Sequence, residues 1–532
     1  MSKNERLRGI LTQLPSALGV AAGVVAVLLT AYYMLFPARG YYHSDCADTI
    51  FWAQASVDAG ALYNPDFDYA CLLPFGGSLL MMPFVALWDV SYAAHTAGML
   101  LFVAALAAAL VWLCRKAEFG WGWTGVTVAS VFGVLCNSEK LREIYFGHTI
   151  YYSLGSLFLL VGLALLLRAE RAQSQSRLAG TVWLALTGVW FALCALNGLP
   201  SLALFTAPVL VGFYGERLFD HNAKLLGTEQ RPALLVTLMA ACGTVAGYVV
   251  GTILGADIVA GYESAFSRFT PTGEWVEHIE NFIPHWLTLL GCGMSGGEHF
   301  LESEGLAGLL RIAVGLLLLV VPFVGLFFWK KLARATRVVL LSHAAVSAIL
   351  LFAFVFGSLS SANWRLSPMV FTSVLSTVML ARELCCGVTL RTGVVLQAAV
   401  TAMALFGLLT VAEMPADYHQ NEGLPAVAAY LEQQDLTYGY ATFWNAGTVT
   451  VLSDSEVKVR NINIEGDRIV PYRYQSQKEW FTDQGDGENY FLLLTPYEHS
   501  QLLSAESPLL ETATRTEEFA GYIIVHLPDC PF

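Results

Sequence analysis

Between residues 17 and 412 the chain keeps returning to uncharged, apolar stretches close to the length that crosses about 30 Å of hydrocarbon. We place about eleven, at 17–36, 92–113, 121–136, 149–167, 180–196, 199–214, 233–255, 306–328, 338–357, 366–381 and 392–412. Such a pattern restricts this part of the chain to packed transmembrane helices. Composition agrees, because 56% hydrophobic residues, 13% charged residues and a mean hydropathy of +0.56 are too apolar for an ordinary soluble protein of 532 residues. Past residue 412 the pattern changes. The expected fold is therefore an α-helical polytopic membrane unit over 1–412, followed by a small soluble α/β domain over 413–532.

Basic residues give the orientation. Lys3, Arg6 and Arg8 precede the first span, which reads as a retained anchor with its N-terminus inside. Alternating from there, the inner loops carry Arg115 and Lys116; Arg168, Arg171 and Arg177; Arg217, Lys224 and Arg231; Lys330, Lys331, Arg334 and Arg337; then Arg382 and Arg391. Residues 37–91, 137–148, 256–305, 358–365 and the C-terminal domain are thereby expected on the extracytoplasmic face of a cell membrane, in contact with membrane lipids. The formal net charge of −13 and the lack of a basic, aromatic-interleaved groove exclude nucleic acid as a partner.

Cys46 and Cys71 share the first outer loop, where a disulfide is permitted, whereas Cys194 and Cys242 read as packing residues. The same loop is expected to hold a short interfacial helix from Asp48 to Ala59, stopped by Gly60. An apolar stretch at 79–88 is too short to span. The 256–305 loop, with His278, His285 and His299, reads either as an amphipathic interfacial helix at 274–290 or as a lid or acceptor groove over a membrane site. In the C-terminal domain we expect helices near 424–434 and 497–503, with strands in "YGYATF", "TVTVL", "VKVRNI", "YFLLLTP" and "GYIIVHL". It has no nucleophile elbow and no phosphate-binding glycine loop.

The segment with most chemical content is "YYHSDCADTIFWAQASVDAG", residues 41–60, where Asp45 and Asp48 stand just beyond the first span. Helix capping explains them in part: Ser44 or Asp45 can cap, with Asp48 in the first turn against the helix dipole. The competing reading is a catalytic base with a capping neighbour, placed where the head of a lipid-linked phosphate meets water. Glu139, Lys140, Arg142 and Glu143 share that outer surface, followed by His148 and Tyr152. Arg365, in "SANWRLSP", reads either as a snorkelling interface residue or as a fork of donors for phosphate.

With these residues, the chain resembles the GT-C superfamily of glycosyltransferases, which use polyprenyl-phosphate sugar donors at the outer face. "SDCADTIFWAQASVDAGALYNPDFDY" is similar to the superfamily's first outer loop, with Asp45 matching its catalytic acid and Asp48 the neighbour. "REIYFGHTIYYSLGSLFLL" is similar to the second outer loop, and "NWRLSP" to the Arg-aromatic-Pro loops of aminoarabinose- and mannose-transferring members, although here Trp364 precedes Arg365. The resemblance implies a polyprenyl-phosphate sugar donor, a glycan, lipid or protein acceptor, and an inverting displacement. It implies Asp45 as base, Asp48 or Glu143 positioning it or holding a divalent metal ion, and Arg365 with Arg142 or Lys140 at the donor phosphate. Competing readings are a lipid or saccharide transporter, a ligase or polymerase, and an accessory subunit with an external binding domain. Transporters carry polar groups at mid-membrane, and here His95 and His343 are the main intrusions, read as packed. A ligase would need a larger late loop than 358–365.

Overall fold

The computed structural model describes residues 16–69, 77–219, 227–255, 268–293, 302–484 and 489–532. Among these, ten helices are long and apolar enough to cross a membrane. In chain order, including the shorter helices, they begin with α1 (Ser16–Leu35), α2 (Ser44–Ala59), α3 (Gly77–Trp88), α4 (Tyr92–Lys116) and α5 (Trp121–Leu135). Next come α6 (Tyr151–Gln173), α7 (Arg177–Ala195), α8 (Leu199–Leu218), α9 (Arg231–Gly255), α10 (Trp275–Leu289) and α11 (Ser303–Lys331). The last spans are α12 (Arg334–Phe356), α13 (Asn363–Gly387) and α14 (Leu390–Glu413). The protein is a multi-pass membrane protein.

The expected span at 121–136 is the exception to the length rule. α5 has 15 residues, about 22 Å at 1.5 Å per residue. It nevertheless runs between the two ends of the bundle, and most of its residues are buried. Glycines make this possible by letting backbones touch. A Cβ on Gly125 would lie 2.1 Å from the Gly19 oxygen of α1, and one on Gly407 of α14 would lie 2.1 Å from the Gly133 oxygen. Small-residue contacts of this kind drive helix association where lipid removes the hydrophobic incentive.

One end of the bundle gathers ion pairs. Glu170 and Glu216 are nearly buried there among Arg217, Arg334 and Arg337, with Arg217–Glu170 at 2.7 Å and Arg337–Glu216 at 2.6 Å. Arg171 meets Glu118, and Arg382 lies over the Phe119 ring at the same end.

At the opposite end the chain builds a six-stranded sheet in the order β4-β3-β2-β6-β8-β7. Its strands are β2 (Tyr438–Thr442), β3 (Lys458–Glu465), β4 (Arg468–Pro471), β6 (Tyr490–Leu494), β7 (Arg515–Phe519) and β8 (Tyr522–His526). β2 pairs in parallel with β3 and β6, and the other pairs are antiparallel. Helices α15 (Gly423–Gln433), α16 (Phe443–Leu452) and α17 (Pro496–Ser504) accompany the sheet. "TVTVL", expected as a strand, is the second half of α16. A parallel β2–β3 pair needs a crossover, and a β-branched run buried on all sides carries no period that separates helix from strand.

This sheet unit is docked on the first loop. Gly447 of α16 lies against Ala47 and Phe51 of α2, and Trp480 meets the rings of Phe51 and Phe67. Two-residue strands β1 (Phe67–Asp68) and β5 (Ser476–Gln477) pair antiparallel across the junction. Arg39 donates to the Leu452 carbonyl at 3.0 Å, and Tyr32 donates to that of Met414 at 2.7 Å.

The expected helix at 274–290 is α10. His278 hydrogen-bonds the Val355 carbonyl at 2.9 Å and His285 packs edge-on against Phe354, so both brace the end of α12. His299 and Cys71 lie outside the described residues, and with Cys71 the expected Cys46–Cys71 bridge. His343 is packed as expected, 2.9 Å from the Thr372 hydroxyl. Cys194 is buried, but Cys242 is exposed, because α9 turns most of its surface outward.

Candidate active site

The helix that carries the acidic pair starts earlier than expected. α2 begins at Ser44, with His43 in the N-cap position and no side-chain capping bond. Neither Ser44 nor Asp45 caps it; Asp45 lies in the first turn, where the helix dipole favours a carboxylate, and Asp48 falls in the second. Gly60 ends the helix in the left-handed conformation, at φ 59°, where glycine carries no Cβ penalty. α2 therefore presents two carboxylates one turn apart, neither of them a cap, and the dipole accounts for Asp45 alone.

Asp48 is partly buried. Burial and the neighbouring Asp45 charge push its carboxyl well above the ordinary range, while Gln475 and His43 pull the other way. Gln475 arrives from the C-terminal unit, and its side-chain oxygen accepts the Trp52 indole N–H.

The segment between α5 and α6 supplies the counter-charges. Ser138 caps a short helical turn at Glu139–Arg142 by accepting from the Leu141 N–H, and the backbone then widens over Glu143–Gly147. The widening swings Glu143 inward. Its carboxylate lies 3.4 Å from His43, 2.5 Å from Lys140 and 3.7 Å from buried His148. Burial works to raise the Glu143 carboxyl, but the adjoining His148 and His43 imidazoles outweigh it and hold the group well below the usual carboxylate range. For His43, burial is opposed by the Cys46 sulfur and the Glu143 carboxylate, and the balance is upward. Glu143 is thus a fixed anion that orders three basic groups.

Lys140 also lies 4.7 Å over the Trp364 ring, which joins this segment to the loop carrying Arg365. Arg365 donates to the Ser358 carbonyl at 2.5 Å. Arg142 is placed differently from the other basic candidates. It is 3% exposed, donates to the Cys136 carbonyl at 2.8 Å, and lies over the rings of Tyr33 and Tyr41. Glu139 is exposed on the rim, and Tyr152 sits at the start of α6 with its ring against Tyr151.

A cavity of about 20 Å³, large enough for a single water, lies between α1, α4, the start of α2 and the 139–147 segment. Tyr33, Tyr41, Cys46, His95, Glu139 and Glu143 line it. Among the described residues no three His, Cys, Asp or Glu side chains converge as a metal site. His43, Tyr41 and Gln475 were not singled out from the sequence. His43 and Tyr41 stand within the segment already chosen, whereas Gln475 is far away in the chain and no local signal marks it.

The sequence matches no family model and no curated relative. Solved structures do match. ArnT from Cupriavidus metallidurans in the apo state aligns at a TM-score of 0.55 with 12% identity, over 95% of this chain and 97% of ArnT. The same protein bound to undecaprenyl phosphate aligns at 0.54, again with 12% identity, over 96% and 97%. The fold is a GT-C fold. That likeness extends over nearly the whole length of both chains, C-terminal sheet unit included.

Proposed function

We propose that this GT-C chain is a membrane glycosyltransferase that moves a sugar from a polyprenyl-phosphate donor to an extracytoplasmic glycan, lipid or protein acceptor. The observation that carries the reading is the uncapped acidic pair on α2, set beside a basic cluster ordered by Glu143, in a fold shared with a protein crystallised with undecaprenyl phosphate. In this reading Asp45 takes the proton of the acceptor hydroxyl, whose oxygen attacks the anomeric carbon as the carbon–phosphate oxygen bond breaks. Polyprenyl phosphate leaves with its electron pair, and configuration inverts. A phosphate monoester leaves without a proton, so cations are needed more than an acid. Lys140 and Arg365 are the donor-phosphate candidates, with buried Arg142 acting through the field at their back, His148 buried behind Glu143, and Glu139 and Tyr152 on the surrounding surface.

Undecaprenyl phosphate added to detergent-solubilised protein should raise its unfolding midpoint in a saturable way, because a ligand that binds only the folded state stabilises it. No shift at saturating lipid, with an equal-length polyprenol as control, would count against a polyprenyl-phosphate site.

Residues 1–412 form the catalytic unit in this proposal and residues 413–532 an external one, with the N-terminus cytoplasmic. The arginine-rich end bearing Arg171 and Arg382 then faces inward, in keeping with the positive-inside rule. In intact cells an impermeant maleimide should label Asp417→Cys and Ser504→Cys above the native-cysteine background and leave Ser174→Cys unlabelled. Labelling of Ser174→Cys alone would reverse the orientation.

A further inference from the structure

The contact between the C-terminal unit and α2 includes one buried polar side chain, Gln475. Gln475 is 2% exposed and has φ 55°, a left-handed conformation unfavourable for a residue with a Cβ. Its backbone N–H donates to the Asp68 carbonyl at 2.8 Å, and the next two residues pair with Phe67 and Asp68 of β1. The preceding turn is held to the sheet by Asn461, which donates to the Tyr474 carbonyl at 3.0 Å. Strain of this kind persists only where the surroundings over-determine it.

The surroundings also fix which way the carboxamide points. An indole N–H only donates, so Trp52 selects the oxygen of Gln475 and leaves its NH2 group for another partner. Asp48 and Trp52 are four residues apart on α2 and share one face. That leaves the NH2 group on the face that carries Asp48, whose carboxyl Gln475 draws downward. One glutamine from the C-terminal unit spans a full turn of the helix that carries the acidic pair.

We propose that Gln475 is a positioning residue of the transfer reaction, by which the C-terminal unit holds Asp48, and through it the geometry of the acidic pair, in the reactive arrangement. The inference rests on the functional reading above. It predicts that removing the carboxamide affects turnover more than donor binding, since Gln475 acts through Asp48 and not on the donor phosphate.

Two substitutions separate this role from a structural one. Gln475→Gly relieves the left-handed strain, which offsets part of the cost of the lost acceptor for Trp52, so the protein should still fold with a modestly lowered unfolding midpoint. Gln475→Glu keeps the shape and the acceptor for Trp52 but replaces the amide donor by an acidic group. In transfer from a radiolabelled polyprenyl-phosphate sugar pool, both should lower kcat about tenfold or more, with KM for the donor within about twofold. Wild-type kcat in either variant would overturn the proposal, as would equal losses of kcat and folded protein in both. Asp45→Asn assayed in parallel distinguishes the two failures. An inactive Asp45→Asn beside fully active Gln475 variants removes only the role of Gln475, whereas an active Asp45→Asn removes the functional reading itself.

Discussion

Asp45→Asn should slow sugar transfer by roughly 100- to 10,000-fold, the usual worth of a positioned general base, with folding little changed. The geometry makes this a clean substitution. Asp45 makes no capping bond, so its loss removes neither a cap nor the helix start, and Asn preserves shape. Asp48→Asn should cost less, because that group stands on the face Gln475 meets and acts on its neighbour. Transfer from a radiolabelled polyprenyl-phosphate sugar pool in membranes, at matched protein levels, measures both. Wild-type turnover by Asp45→Asn would remove Asp45 as the base.

The second large effect is expected at Glu143, and it is one of stability. Glu143→Ala leaves His43, Lys140 and His148 facing one another without the carboxylate that orders them. Removing one partner of a buried pair costs on the order of 3 kcal/mol, discounted here because Lys140 is a third exposed. The pH dependence has a sign. The Glu143 carboxyl is depressed in the folded state, so its contribution is present above the unfolded value of about 4.3 and is lost as pH falls through the folded one. The His43 imidazole is raised, so its contribution is complete below the unfolded value of about 6.5 and is lost as pH rises toward the folded one. The unfolding midpoint in detergent should therefore gain most from this cluster between about pH 4.5 and 6.5. Glu143→Ala should flatten that maximum. A midpoint profile that keeps its shape in the variant would show that the cluster does not contribute.

What the sequence disclosed follows from the range of each signal. Span positions were legible because hydrocarbon thickness sets a length, and α2 because Gly60 stops it. The start of α2 was missed by a turn, since Ser44 and Asp45 look like caps and the chain uses neither. α16 was misread because its β-branched run reports burial and not the crossover that topology demands. The acidic pair, Lys140 and Glu143 were visible as charges beside apolar stretches. Their pairing with His43 and His148 was not, because the widened turn at Glu143–Gly147 that aims Glu143 inward has no composition of its own. Arg142 looked like a surface cation, yet two tyrosine rings and a carbonyl hold it inside.

The pairing of β1 with β5 also bears on the order of synthesis. Phe67 and Asp68 emerge early, while their partners Ser476 and Gln477 are made only after the last span, α14, has been completed. Contacts so far apart in the chain form late, since the intervening loop must close first. During translation the acidic helix thus waits, exposed on one side, until the end of the polypeptide has been made and has folded back over it. A nascent or truncated chain ending at Glu413 would hold every span and both aspartates, yet lack the strand and the glutamine that finish their surroundings.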